Sequence, residues 1–389
     1  MRIGFDARCL QTASAGGGIG RYARALAEGL PESGDELLVY VSARRPQPSL
    51  SLRSGARIDG LRRPPRGITL WDPVLWPPRM RRDELDVFHS PFYGVPARRP
   101  GQTRIVLTVH DVIPVLFPGA VTPRQRIVFE RTYHSAAGAD RVIVPSRRTR
   151  DDLISVSRAE PGRIEVIPLG LSAVFVDEAA GGAPIEARRS RGASARSQLT
   201  GGRPYLLNVG GFDPLKNLPA LCDAFALLRQ GGTAQRDLRL VLVGDTAGSR
   251  AEAVRGAAAG SGAGGAIVFP GRLDDAALVD AYFGAEAFLF PSRYEGFGLP
   301  PLEAMACGCP VVSSDGGSLG EVLEGAARMV PAGDDARFAD DFASGIAEVL
   351  EDAALRARLI EAGRARAARL SWKAACAETV RVWREALAA

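Results

Sequence analysis

The chain has 389 residues, 46% hydrophobic and 24% charged. That is enough apolar material for two or three domain cores and too much for a disordered chain. The net charge of +5 is mild for this length; with no Cys/His zinc spacing and no RNA-binding aromatic motif, it excludes a dedicated nucleic-acid binder.

Short β-branched runs bounded by Gly, Pro, Ser or Asp alternate with amphipathic stretches. Strands are expected at Arg2–Phe5, Leu37–Val41, Val87–His89, Ile105–Val109, Arg141–Val144 and Glu165–Ile167. A second set is expected at Tyr205–Val209, Arg239–Val243, Ala266–Phe269, Ala287–Phe290 and Val311–Ser313. Helices are expected at Ile19–Leu30, Leu218–Leu228, Ala353–Leu370 and Ala374–Leu387. Such alternation specifies α/β units with buried parallel sheets. Residues 178–203, rich in Gly, Ala, Ser and Arg, read as a linker or mobile loop. The expected organisation is therefore two Rossmann-like domains, 1–177 and 204–372, facing each other across a cleft, with a closing helix at 373–389 that packs back on the first. No run of 18 apolar residues reads as a membrane span, and MRIGFDARCL carries no apolar signal stretch. With five scattered cysteines, a reduced, cytoplasmic setting is expected; Cys307-Gly-Cys309 lacks the second pair or nearby His that a metal site needs.

The most specific segment is FPSRYEGFGLPPLEAMACGCP, residues 290–310. A strand ends in Pro291, a glycine-containing loop follows, and Pro300-Pro301 opens a helix that stops at Gly308. Glu295 lies in the loop and Glu303 in the first helical turn, where both can accept hydrogen bonds from neutral hydroxyls. The amides of Phe297, Gly298 and Leu299 and the positive helix end suit a phosphate oxygen. The bland alternative is that Glu303 complements the helix dipole and Glu295 is a solvated loop acid. Lys216 and Lys373 are the only lysines among 49 basic residues. Lys216 precedes a helix, where the dipole disfavours a cation unless an anion lies between, so a diphosphate is the expected partner. His89 and His110 fall at strand carboxyl ends, where ligands of open α/β sheets collect; His110 can donate to a ligand hydroxyl or carry charge, and for both a hydrogen-bonded structural histidine is the equal alternative. His134 reads as a helix-face residue. Gly18–Ala23 (GIGRYA) fits the dinucleotide fingerprint but comes too late after its strand, and no acid ends the next one, so a dehydrogenase is set aside.

The E-x7-E spacing of Glu295 and Glu303 resembles the signature of the retaining glycosyltransferases of family four, which have the GT-B fold. Gly16–Leu30 (GGGIGRYARALAEGL) is similar to that family's glycine loop and first helix, Asp86–Pro96 (DVFHSPFYGVP) and Thr108–Pro114 (TVHDVIP) to its acceptor-domain motifs, and Asn208–Asn217 (NVGGFDPLKN) to its phosphate loop. The resemblance implies that Glu303 holds the ribose hydroxyls and that Glu295 contacts the transferred sugar. It also implies that the amides of Phe297, Gly298 and Leu299 hold sugar and phosphate, that Gly17 and Gly18 approach the donor, and that His110 lies near the sugar. Gly211 stands where the family carries a phosphate-binding Arg; Arg272 and Arg293 are the candidate replacements.

No Asp-x-Asp pair ends a strand, so no metal or other cofactor is expected beyond a GDP- or UDP-linked sugar as co-substrate. The expected reaction is retaining hexosyl transfer, mannosyl favoured, by front-face attack, to a saccharide or polyprenyl-diphosphate-linked acceptor. A non-catalytic GT-B scaffold binding nucleotide or polysaccharide is the alternative raised by Gly211. Residues 44–104 hold thirteen arginines against five acids, and WDPVLWPPRMRR, residues 71–82, interleaves Trp with Arg. Contact with an anionic membrane at the inner face of the cell membrane is one expectation for this patch; contact with a diphosphate-linked lipid acceptor is an equal one, and a solvated surface excursion is the bland alternative.

Overall fold

The computed structural model describes residues 1–29, 34–53, 55–61, 72–92, 94–95, 101–333 and 336–388. The chain forms two compact units, Met1–Gly170 with Ser371–Ala389, and Leu171–Leu370.

The first unit contains β1 (Arg2–Asp6), β2 (Glu36–Ser42), β3 (Ala56–Leu61), β4 (Val87–Ser90), β5 (Arg104–Thr108), β6 (Arg141–Val144) and β7 (Ile164–Val166). All pairings are parallel, in the order β3-β2-β1-β4-β5-β6-β7. The second contains β8 (Tyr205–Val209), β9 (Arg239–Val243), β10 (Ile267–Gly271), β11 (Ala287–Phe290), β12 (Val311–Ser314) and β13 (Arg328–Val330). It is also parallel, in the order β10-β9-β8-β11-β12-β13. In each sheet the chain winds outward from the first strand, returns, and winds the other way from the fourth. This is the doubly wound order, with a switch point between β1 and β4 and another between β8 and β11. The central strands are buried almost throughout, as expected where helices cover both faces. Two strands escaped the sequence reading, β3 and β13. Both are sheet edges; β3 (ARIDGL) is half exposed and broken by charge, and β13 has three residues.

Residues 178–203 are a correction. They are not a linker: a helix spans Ile185–Thr200 and packs on the helix Asp275–Gly284 within the second unit. Its buried face is small rather than apolar. Gly192 lies so close to the partner helix that a Cβ there would sit 2.8 Å from the Phe283 carbonyl. Arginines hold the flanks, with Arg191 on Asp280 at 2.5 Å, Arg196 on Glu286 at 2.6 Å and Arg188 on Glu178 at 3.3 Å. The boundary accordingly falls at 170/171, not after 177. The helix Ala173–Ala179 belongs to the second unit, where Phe175 meets Tyr282 edge-on at 6.1 Å. At the other end, the helix Trp372–Ala388 belongs to the first unit, with Trp383 edge-on to His89 at 5.6 Å.

The place of Trp76 in the aromatic–basic patch is a second correction. Asp72–Arg82 is a helix, and Trp76 is 1% exposed, packed on Tyr40 and Phe88 at 5.3 and 4.5 Å. Arg79 pairs with Asp83 at 2.7 Å and lies over the Tyr40 ring. Trp76 and Arg79 thus belong to the core and its rim, while Arg81 and Arg82 on the same helix are exposed. Trp71 and residues 62–70 of the basic stretch lie outside the described residues, as do Leu30, Tyr93 and Pro96 of the quoted motifs. No helix among the described residues is long and apolar enough to cross a membrane.

The close approach at Gly192 makes a stability prediction. Gly192→Val should lower stability by about 1–3 kcal/mol in thermal or urea unfolding, whereas Ala193→Ser, on the exposed side of the same helix, should stay within about 0.5 kcal/mol. Equal curves would mean that this helix is not docked.

Candidate functional site

The two loops that flank the β8/β11 switch point carry the second unit's candidate residues. After β8 the chain passes Gly210 and Gly211, buries Phe212, makes a single turn at Pro214–Lys216, and enters the helix Leu218–Arg229 through Asn217 in left-handed conformation (φ 53). After β11 it runs through Pro291–Gly298 into the helix Leu299–Ala306. The loops are bound together: the Arg293 N–H donates to the Leu215 carbonyl at 2.7 Å. Lys216 Nζ then reaches Glu295 Oε1 at 2.5 Å and lies 5.6 Å from the centre of the Phe290 ring. Both charged side chains are mostly buried, 25% and 12% exposed.

Glu295 is held from its other side by the loop after β12. Its backbone bridges to Gly317, and its carbonyl accepts from the Ser318 N–H at 2.9 Å. Gly317 has φ 67, and a Cβ there would lie 2.4 Å from the Glu295 carbonyl oxygen, so glycine is required. Three sheet-end loops thus converge on one carboxylate and one ammonium.

The helix Leu299–Ala306 begins at Gly298 (φ 92) with Pro300 and Pro301 in its first turn. Prolines have no N–H, so the donors available at this end reduce to the amides of Leu299, Gly298 and Phe297. Glu303 lies one turn further on but is 2% exposed. Its Oε2 accepts from the Tyr282 hydroxyl at 3.3 Å, and that hydroxyl also lies 3.4 Å from the Pro300 carbonyl. Burial and the neighbouring Glu303 push the Tyr282 hydroxyl well above its ordinary pKa, so it stays a protonated donor. The sequence reading missed Tyr282; a tyrosine on the same mostly apolar helix as Leu278 and Val279, needing a partner for its hydroxyl if buried, was the available signal.

Of the candidate cations, Arg293 lies beside Lys216, its Nε 3.4 Å from Asn217 Oδ1. Arg272 is 69% exposed and paired with Asp245 at 3.2 Å. Gly211 is exposed, and only Asp213 Oδ2, at 3.7 Å, lies near the place of a Cβ, so a side chain fits there.

In the first unit, Gly17 and Gly18 are exposed in the loop after β1, and Gly18 opens the helix Gly18–Gly29. His110 follows β5, and its Nε2 lies 2.9 Å from the Pro91 carbonyl, just past β4. A carbonyl only accepts, so Nε2 carries the proton and Nδ1 presents a lone pair. Burial pushes the His110 pKa down to about 4, against the raising effect of that carbonyl. At neutral pH, therefore, His110 carries no charge, and its remaining ring nitrogen accepts rather than donates. This reverses the role expected from sequence.

The Tyr22 ring stands edge-on to His110 at 4.8 Å, and its hydroxyl bonds Thr108 Oγ1 at 2.9 Å. Thr108 also bonds His89 Nε2 at 2.8 Å. His89 is wholly buried, with no partner for Nδ1 among the described residues, and its pKa falls to about 3 through burial and, secondarily, His110. His134 is exposed on the helix Pro123–Ser135.

The family model described as Glycosyl transferases group 1 matches residues 191–366, and that described as Glycosyltransferase Family 4 matches residues 16–173. The chain is 32% identical over 324 residues to a D-inositol 3-phosphate glycosyltransferase of Acidothermus cellulolyticus, covering 78% of this chain and 68% of that protein. It is 28% identical over 312 residues to O-antigen chain mannosyltransferase B of Escherichia coli, covering 78% and 75%. The solved structure of sucrose-phosphate synthase from Thermosynechococcus elongatus matches with a TM-score of 0.77 at 23% identity, covering 100% of this chain and 99% of the other.

The neutral histidines predict a pH dependence. An unfolded histidine takes up its proton near 6.5, folded His110 only near 4 and folded His89 near 3. Between these values the unfolded state binds more protons, so stability falls as the pH is lowered from about 6.5 toward 4. His89→Gln should flatten that fall relative to the wild type in thermal unfolding scans; parallel profiles would show that His89 is not held neutral.

Proposed function

The chain belongs to the group 1 glycosyl transferases of glycosyltransferase family 4 and has the GT-B fold, and on that premise we propose that it is a retaining, metal-independent hexosyltransferase whose leaving diphosphate is neutralised by Lys216. That it is an enzyme, a glycosyltransferase drawing on a nucleotide sugar, follows from the family. The non-catalytic scaffold raised by Gly211 is therefore set aside. The observation that carries the finer reading is the meeting of Lys216 and Glu295 at the β8/β11 switch point.

As the glycosidic bond breaks, its electron pair moves onto the β-phosphate oxygen and negative charge builds there. The Lys216 ammonium, the amides of Phe297, Gly298 and Leu299, and the helix end behind them stabilise that charge more than they do the intact donor, which lowers the barrier. Glu295 accepts from a hydroxyl of the transferred sugar and Glu303 from the ribose hydroxyls, displacing Tyr282. In the first unit, His110 offers Nδ1 as an acceptor for a substrate hydroxyl. The acceptor hydroxyl attacks from the face on which the diphosphate leaves, and its proton passes to the departing phosphate oxygen; a separate general base is not needed. The reading takes a GDP- or UDP-linked sugar as co-substrate, with no other cofactor.

A mannosyl donor and a saccharide acceptor are supported by the relative named O-antigen chain mannosyltransferase B; a polyprenyl-diphosphate-linked form of that acceptor is proposed with it. A phosphorylated cyclitol acceptor is the second reading, supported by the relatives named D-inositol 3-phosphate glycosyltransferase. Membrane contact with a lipid-linked acceptor would rest on exposed arginines such as Arg81 and Arg82 and not on the buried Trp76.

A thermal-shift screen over UDP, GDP and their sugars, followed by transfer assays with both acceptor classes, tests this reading. Lys216→Ala and Glu303→Gln should each lower kcat by about a hundredfold or more with unfolding curves near wild type; turnover near wild type in both would overturn the assignment. Gly211→Arg, placed where a side chain fits, should lower the KM for the donor several-fold, roughly the effect of one added charge-assisted contact.

A further inference from the structure

Resting on that reading, we propose that Glu295 is a specificity residue that competes with the product diphosphate for Lys216, so that the site favours the intact nucleotide sugar over the nucleotide diphosphate left after transfer. In the structure Glu295 Oε1 occupies the Lys216 ammonium at 2.5 Å, and among the described residues it is the acid paired with that lysine. An ammonium this close to a carboxylate presents little uncompensated charge to an incoming anion. A diphosphate must therefore take the place of Glu295 as well as shed its own water.

Both partners are held by their backbones. Lys216 ends a turn locked by its own N–H on the Asp213 carbonyl and followed by the buried, left-handed Asn217. Glu295 is fixed by its backbone, through Gly317 and Ser318, and the movement is assigned to its carboxylate. With the intact donor, a sugar hydroxyl offers the displaced carboxylate a new hydrogen bond, which offsets the lost ion pair. With the product nucleotide no sugar is present. The carboxylate then has no alternative partner in the ligand and returns to Lys216, expelling the product.

The test is a double-mutant cycle on the full chain. Binding of UDP and GDP, and of UDP-glucose and GDP-mannose, is measured by calorimetry in the wild type, Glu295→Gln, Lys216→Gln and the double variant. Glutamine keeps the shape of Glu295 but removes its charge, and melting curves verify folding. Glu295→Gln should bind the nucleoside diphosphate about fivefold to tenfold tighter, as for release of a partly buried ion pair, with no such gain for the intact donor. In the Lys216→Gln background the gain should vanish. Unchanged or weaker diphosphate binding in Glu295→Gln overturns the inference. So does a gain that survives in the Lys216→Gln background, which would mean plain repulsion between carboxylate and phosphate. Wild-type protein that binds neither diphosphates nor their sugars would overturn the functional reading itself, and the inference with it.

Discussion

The reversal of winding between β8 and β11 sets the geometry on which the chemistry rests. In a parallel sheet every crossover is right-handed, so reversing the direction of growth sends the two connecting helices to opposite faces. The loops leaving the two adjacent strands are thereby parted at their carboxyl ends. Lys216 and Glu295, 79 positions apart in the chain, occupy those two loops. Their meeting depends on the pairing of β8 with β11 and on the tie between Arg293 and Leu215. A third loop, after β12, fixes the glutamate backbone. The same winding recurs in the first sheet, where the loop after β1 carries Gly17 and Gly18 and the carbonyl just past β4 orients His110.

Burial decides what the polar groups at these loops can do. Glu303 and Tyr282 satisfy one another in the interior, where an unpaired polar group would be costly and a paired one is stiff. His110 is neutral because its surroundings disfavour the charged ring, and its tautomer follows from the one carbonyl it meets. The chain Tyr22, Thr108, His89 behind it is apolar in its packing and polar at its tips, and links the strand ends to the C-terminal helix through the contact of His89 with Trp383.

The helix Ile185–Thr200 shows where pattern reading fails. Amphipathic periodicity reports a helix that docks through apolar side chains. This one docks through Gly192 and Ala195 and is pinned by arginine–carboxylate pairs, so its composition reads as a linker. Trp76 errs in the other direction. Flanked by prolines and arginines it reads as surface, yet its ring fills the space between Tyr40 and Phe88. In both cases the deciding contacts lie with elements distant in the chain.

Local patterns alone settled the alternation of strand and helix, the two α/β halves and the spacing of Glu295 from Glu303, because each depends on residues within a few turns of one another. They also singled out Lys216, as a cation placed against a helix dipole. Only the folded chain decided that Lys216 is paired with Glu295, that Glu303 faces Tyr282, that Arg272 belongs to Asp245, and which nitrogen His110 presents. Those outcomes depend on which strands are neighbours and on what excludes water from each group, and neither is encoded within any single stretch of sequence.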